Sequence, residues 1–279
     1  MNRDKPNPDV RLILDGYNLI HRARGGFQLG EWPMVFNFFR GLKPIVEKFK
    51  PTVVYFVLEG TPKHNIGLLP EYKANRALSP PPDFERQKNA ILTVLDAMPI
   101  RLVRHPDFEA DDVIHNIVLH TNATEPNVKN VIVSSDSDFT QLLQRHTNVV
   151  VWNWRTKKNV EAPSYDYVSW KALRGDPTDN IPKCHGMNDR AAIDVLNVPT
   201  RLSELLNDAE FKSTYERNHK LIELHDFNDE EWPLLQTSLA VNPSWDFIRE
   251  TFTCYGFHSM VDDVAWSRWV DAFIPLVRK

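Results

Sequence analysis

Three apolar runs in this chain each end at a carboxylate, and that repetition restricts the possible fold more than any other feature. Residues 11–14 (RLIL) lead into Asp15 and Gly16, residues 53–58 (VVYFVL) into Glu59 and Gly60, and residues 131–133 through two serines into Asp136 and Asp138. Short continuous apolar runs bounded in this way read as strands buried on both faces, the pattern of a parallel sheet. Between them lie helical patterns. Val35, Phe38, Phe39, Leu42, Ile45, Val46 and Phe49 share one face, with Pro44 placed to kink the helix, and Val113, Ile114, Ile117 and Val118 recur with the same period in residues 111–120. Strands alternating with helices predict right-handed crossovers and an α/β fold, a mostly parallel sheet flanked by helices. Ligands of such sheets bind beyond the carboxyl ends of the strands, where these acids fall.

From about residue 164 the pattern changes to helices and short loops with little strand signal, interrupted by the loop at 175–192, GDPTDNIPKCHGMNDRAA. We place a boundary near 160, with a sheet domain at 1–160 and a helical region at 161–279 packed against it. Hydrophobic residues make up 42% of the chain and charged residues 25%, which suits a folded globular protein rather than a disordered one. The polar, proline-punctuated start MNRDKPNPDV lacks a signal-peptide core and no run approaches 18 apolar residues, so the expectation is a cytoplasmic protein without a membrane partner. Cys184 and Cys254 lie far apart with no Cys-x-x-Cys spacing and read as ordinary thiols.

Nine acids in five segments are candidate ligands: Asp15; Glu59; Glu109, Asp111 and Asp112 in EADD; Asp136 and Asp138 in SSDSD; Asp176 and Asp179 in GDPTDN. A lone acid such as Asp15 is most simply a helix cap or a solvated charge. The set of strand-end acids is harder to explain in that way. Oxygen donors with no His or Cys among them suit Mg²⁺, with Mn²⁺ as substitute, and suit zinc poorly. So many carboxylates converge only if cations neutralise them, and a pair of such ions could promote in-line attack on a phosphodiester. The net charge is −4, and without these nine acids it would be +5, so the remaining surface can hold phosphates. His21, His64 and His105 read as surface or core residues rather than ligands.

At these residues the chain resembles the flap endonuclease and 5′-3′ exonuclease family, through LILDGYNLIHRA, LPEYKANR, FEADDVI, VIVSSDSDFTQLL, GDPTDNIP and YGFHSM, which together span residues 12–260. The resemblance implies a PIN-like nuclease core with a mobile arch near 61–90, and a helix-three-turn-helix DNA-binding element in the region 161–279. It assigns all nine acids to the metal site, with Asp176 and Asp179 completing the second position. Glu59 departs from the family's Asp by one methylene. The hairpin, which usually carries three glycines, keeps only Gly186, and Asn188 could replace one by adopting the left-handed conformation.

The resemblance also implies that Tyr72 stacks on an unpaired base while Lys73 and Arg76 offset charge at the scissile phosphate. Arg22, and with it Arg24, would contact template phosphates, and Gly186, Asn188 and Arg190 duplex phosphates, with K⁺ as a further ligand of the hairpin. The prolines of residues 77–83 (ALSPPPD) read as a hinge of the arch. The expected activity is that of a structure-specific 5′ flap endonuclease and 5′-3′ exonuclease. Its expected partners are DNA with a 5′ flap, nick or 5′ end, and RNA–DNA primer hybrids. The protein is expected to be a standalone monomer of a bacterial or phage-infected cell. The competing readings are a catalytically weak DNA-junction binding protein and a PIN-type ribonuclease on structured RNA.

Overall fold

The structure is a computed structural model that describes residues 9–28, 30–76 and 82–277. In chain order it runs β1 (Val10–Asp15), α1 (Gly16–Ala23), α2 (Pro33–Phe49), β2 (Val53–Leu58), α3 (Lys63–Leu68), α4 (Pro82–Asp96), β3 (Arg101–Arg104), α5 (Ala110–Thr124), β4 (Lys129–Val133), α6 (Thr140–Arg145) and β5 (Val149–Asn153). There follow β6 (Lys158–Asn159), α7 (Tyr167–Arg174), α8 (Asp189–Leu196), α9 (Pro199–Leu205), α10 (Ala209–Ile222), β7 (Gln236–Ser238), α11 (Trp245–Cys254), α12 (His258–Val261) and α13 (Asp263–Asp271).

The strands form one sheet in the order β6-β5-β4-β1-β2-β3-β7, parallel from β5 to β3 and antiparallel at both edges. β1 lies at the centre, with Leu12, Ile13 and Leu14 fully buried, because its side chains meet helices on both faces. The registers Asp15↔Val57 and Leu14↔Val133 bring the ends of β1, β2 and β4 to one rim. The glycines after the first two strand-end acids follow from close packing. A Cβ at Gly16 would lie 2.4 Å from the Val57 carbonyl oxygen, and one at Gly60 would lie 2.0 Å from that of His105.

α2 continues through Pro44 as one helix, its apolar face built from the residues its period selects. α5 begins at Ala110, which puts Glu109 at its N-cap position and Asp111 and Asp112 in its first turn. The region after 160 is less purely helical than expected. Its polar segment Gln236–Ser238 adds β7 to the edge of the sheet, and Ile248, Phe252, Met260, Trp269 and Phe273 share the core of α2 and β1. A separate apolar cluster joins α7, α8 and α10 and includes Leu69 and Tyr72. The expected hinge at 77–83 falls mostly on residues 77–81, outside the described ones. Among the described residues no helix is long and apolar enough to cross a membrane.

Candidate functional site

Asp15 ends β1 and is buried, its Oδ1 accepting from the Asn18 N–H (3.2 Å) and its Oδ2 from the Ser134 hydroxyl (2.6 Å). Glu59 stands one residue past β2, and its Oε2 accepts from the Ala110 N–H (2.9 Å) at the start of α5. The additional methylene of Glu at this position thus serves a helix N-terminus. Glu109 receives the Tyr72 hydroxyl (2.7 Å), Asn65 Nδ2 (3.2 Å) and the Lys73 ammonium. Asp111 Oδ1 accepts from the Asp112 N–H, and Asp112 Oδ1 accepts from the His225 N–H (3.0 Å), which fastens the segment after α10 to the acid set.

On the other side of the rim, Asp136 is exposed and its Oδ1 accepts from the Asp138 N–H (2.9 Å). Asp138 Oδ1 receives the Tyr167 hydroxyl (2.7 Å) and Lys171 Nζ (2.5 Å). Lys171 also lies 2.8 Å from Asp176, while Asp179 pairs with Arg76 and lies 3.7 Å from Lys73 Nζ.

Burial dominates the electrostatics. It pushes Asp15 up to about 6, against the lowering effect of the Ser134 hydrogen bond. Burial, with Glu109 and Asp15 nearby, pushes Glu59 up to about 7. Asp112 is likewise raised by burial to about 7, and Asp111 is raised well above the usual range by burial and by Asp112 beside it. Asp176 runs the other way: burial would raise it, but Lys171 holds it below the ordinary value. Lys73 loses hydration by burial yet stays firmly charged, because Glu109, Asp111 and Asp179 surround it. Its field also reaches Asp15, Glu59 and Asp136. Lys73 adopts φ +56°, an uncommon conformation for a side-chain-bearing residue, with its amide bonded to the Asp179 carbonyl (2.9 Å).

The acids open on two cavities. Asp15, Glu59 and Asp136 open, with Arg22 and Arg76, on a groove of about 960 Å³. Asp111, Asp112, Asp138 and Asp179 line a small enclosed cavity with Tyr72 and Lys171. Among the described residues no group of three or more His, Cys, Asp or Glu is arranged to hold an ion. The acids thus open on two lobes but remain one electrostatic set: besides burial, Glu59 is raised by Glu109 and Asp15, Asp111 by Asp112, Glu109 and Glu59, and the charge of Lys73 reaches both sides. Lys73, Arg76 and Lys171 sit among these carboxylates and offset part of their mutual repulsion. The donor set still fits hard divalent cations. It is all oxygen, several members are buried without a full counter-charge, and nine acids exceed the three cations among them.

Two expectations are corrected. Tyr72 is only 7% exposed, with its ring in the apolar cluster of α7 and α10 and its hydroxyl on Glu109, so it presents no open stacking face. Asn188 is extended (φ −140°) and caps α8 by accepting from the Ala191 N–H (2.9 Å); the positive-φ residues of the 175–192 loop are Gly175 (φ +71°), Asn180 (φ +61°) and Gly186 (φ +75°). Gly186, Asn188 and Arg190 are exposed, on a surface distinct from both acid lobes. Arg24 is exposed beside the Phe84 ring, 5.5 Å from its centroid. His21 stacks on Phe84, His64 lies against His225, and buried His105 meets the Glu231 carbonyl.

Lys171 and Tyr167 escaped sequence reading. Their i,i+4 spacing on α7, just ahead of GDPTDN, is the signal that could have found them.

Residues 10–169 match the family described as 5′-3′ exonuclease, N-terminal resolvase-like domain. The thermostable DNA polymerase I of Thermus filiformis is 31% identical over 206 residues, 69% of this chain and 24% of that protein. The chain thus spans about a quarter of the length of the curated relatives it matches. Among solved structures, the T5 D15 protein co-crystallised with metal ions has a TM-score of 0.62 at 16% identity, covering 95% of this chain and 99% of that one. The catalytic core of Rad2 in complex with DNA substrate has a TM-score of 0.55 at 17% identity, covering 98% and 93%. These structural likenesses concern the fold.

Proposed function

The chain belongs to the 5′-3′ exonuclease family, and from that premise we propose that it is a structure-specific 5′ nuclease hydrolysing phosphodiesters of flapped, nicked or 5′-ended DNA. RNA–DNA primer hybrids are a second substrate class in this reading. The observation that carries it is the placing of Lys73 within the field of six acids, Asp15, Glu59 and Asp136 beyond the carboxyl ends of β1, β2 and β4, Glu109 and Asp111 at the start of α5, and Asp179 after α7. Asp15, Glu59, Glu109, Asp111, Asp112, Asp136 and Asp138 would hold divalent cations, with Asp176 and Asp179 serving a second position. Bound Mg²⁺ or Mn²⁺ would supply Lewis acidity and neutralise the acids against an incoming phosphate.

The chain's own residues orient the reaction. Arg76 is half-exposed and lines the open groove, so its guanidinium can pass from Asp179 to a phosphate oxygen. Lys73 stays protonated across the working pH range and offsets charge where the acids converge. Tyr72 holds Glu109 in place through its hydroxyl rather than reading a base. Arg22 in the groove, and the exposed Gly186, Asn188 and Arg190 outside it, would hold backbone phosphates, which read shape and not sequence.

A labelled 5′-flap duplex incubated with Mg²⁺ and then with EDTA tests the reading. Cleavage at the flap base in Mg²⁺ alone supports it. A flap that is bound but survives Mg²⁺ and Mn²⁺ would favour a junction-binding protein, a reading consistent with Lys73, Arg76 and Lys171 engaging the acids. Cleavage of structured RNA with no cleavage of DNA would favour the ribonuclease.

A further inference from the structure

The open groove runs from Asp15, Glu59 and Asp136 past α1 to the turn between β5 and β6. There the Arg22 guanidinium lies over the Trp154 indole, 3.8 Å from its centroid. Arg22 Nη1 and Trp154 Nε1 are both shielded from solvent, yet neither has a hydrogen-bond partner. Two covered donors without an acceptor, side by side, are costly and rare in a native protein.

Arg155 follows Trp154 directly, and Arg40 stands on the same groove. Among the described residues no carboxylate forms an ion pair with Arg22, Arg40 or Arg155. Arg155 repels Arg22, and among the described residues no ion pair offsets the cluster.

The turn itself is well defined and outward-facing. Asn153 Oδ1 accepts from the N–H groups of Arg155 (2.9 Å) and Thr156 (3.1 Å), and residues 155–158 are exposed. Its tip therefore keeps its shape at an edge of the sheet, while Trp154 at its start packs against the core cluster of α2 and β1.

We propose that the notch between α1 and the β5–β6 turn is a clamp for one backbone phosphate of the DNA, held by Arg22, Trp154 Nε1–H and Arg155. A phosphodiester supplies what the notch lacks, namely acceptor oxygens for two N–H donors and a negative charge among three arginines. A small outward movement of the turn admits it and relieves the two unsatisfied donors. The groove is far larger than an isolated anion and continues to the acids, so the occupant is a nucleic-acid strand rather than free phosphate. The clamp rests on the nuclease reading and extends it by assigning Trp154 and Arg155, placing one contact point of the strand on the side of the acids remote from Lys171.

The test is binding of the full chain to a fluorescein-labelled 5′-flap duplex in EDTA, titrated with KCl. For Arg155→Gln the affinity is expected to fall about threefold to tenfold, and the slope of log K against log [KCl] to become shallower by about 0.7–0.9, the share of one phosphate. Trp154→Phe keeps a ring beneath Arg22 but removes the N–H, so affinity falls while the slope stays at its original value. Lys50→Gln, on the opposite side of α2 at a separate groove, is the control and leaves the slope unchanged. An Arg155→Gln slope equal to that of the unaltered protein overturns the clamp and leaves the nuclease reading standing. Failure of the unaltered protein to bind the flap duplex at all overturns both.

Discussion

Lys171 Nζ lies 2.5 Å from Asp138 Oδ1, an ion pair of almost complete burial, and the same ammonium lies 2.8 Å from Asp176. A buried lysine between two acids on different loops ties the segment after β4 to the loop after α7. Its removal strands two carboxylates out of water, so Lys171→Met is expected to lower the stability of the metal-free protein by about 3 kcal/mol. Urea unfolding in EDTA measures this, and Mg²⁺ should restore part of the loss, because the freed acids can then share a cation.

The acids raised by burial make the response to metal depend on pH. Asp15, at about 6, and Glu59 and Asp112, at about 7, are protonated more readily in the folded chain than in the unfolded one. Their contribution to stability is full below the unfolded carboxylate values near 4 and is lost as pH rises through 6 to 7. Buried His115 works the other way, since its lowered value favours the neutral folded form above about 6.5, so the metal-free curve is a sum of opposing trends. The difference between Mg²⁺ and EDTA isolates the acids. The rise in Tm on adding Mg²⁺ is expected to be small at pH 5 and to grow up to pH 8, as scanning fluorimetry would register.

Tyr72→Phe isolates the hydroxyl of this buried residue. The substitution keeps the ring in its apolar cluster but deletes the hydroxyl that holds Glu109. With the hydroxyl as the working part, kcat on a 5′-flap substrate should fall about tenfold while affinity for the DNA is retained. An unchanged kcat would remove Tyr72 from the site.

Asp136 and Asp111 represent the two lobes, one on the open rim and one in the enclosed cavity. Asp136→Asn or Asp111→Asn should abolish cleavage while DNA binding is preserved or tightened, since a negative charge facing the phosphate is lost. Gel shift and cleavage of the same labelled flap distinguish the two effects, and a variant with normal turnover would remove that residue from the site.

Much of this architecture was legible in the sequence because it is written in local patterns. The continuous apolar runs fix β1, β2 and β4, and the acids at their ends fall on one rim because parallel strands share a direction. What escaped depends on contacts between distant segments. Lys171 looks like any solvent-facing lysine in YVSWKALR until Asp138 and Asp176 close over it. Tyr72 sits between polar neighbours, as a loop residue would, and its burial comes from α7 and α10, about a hundred or more residues further on. β7 has no apolar residue to announce it, being an edge strand held by backbone pairing to β3. Asn188 suits both a left-handed turn and a helix cap, and the arrival of α8 selects the cap.

The central claim is that carboxylates now divided between two lobes and bridged by Lys73 come together on divalent ions. A crystal of the protein soaked in Mn²⁺ and measured for anomalous scattering tests it most directly. The account expects manganese bonded to oxygens of the acids at the ends of β1 and β4 and the start of α5, with Lys73 released from Glu109. A Mn²⁺-soaked crystal with no anomalous peak among these acids, and with Lys73 and Lys171 still paired as they are now, would contradict it.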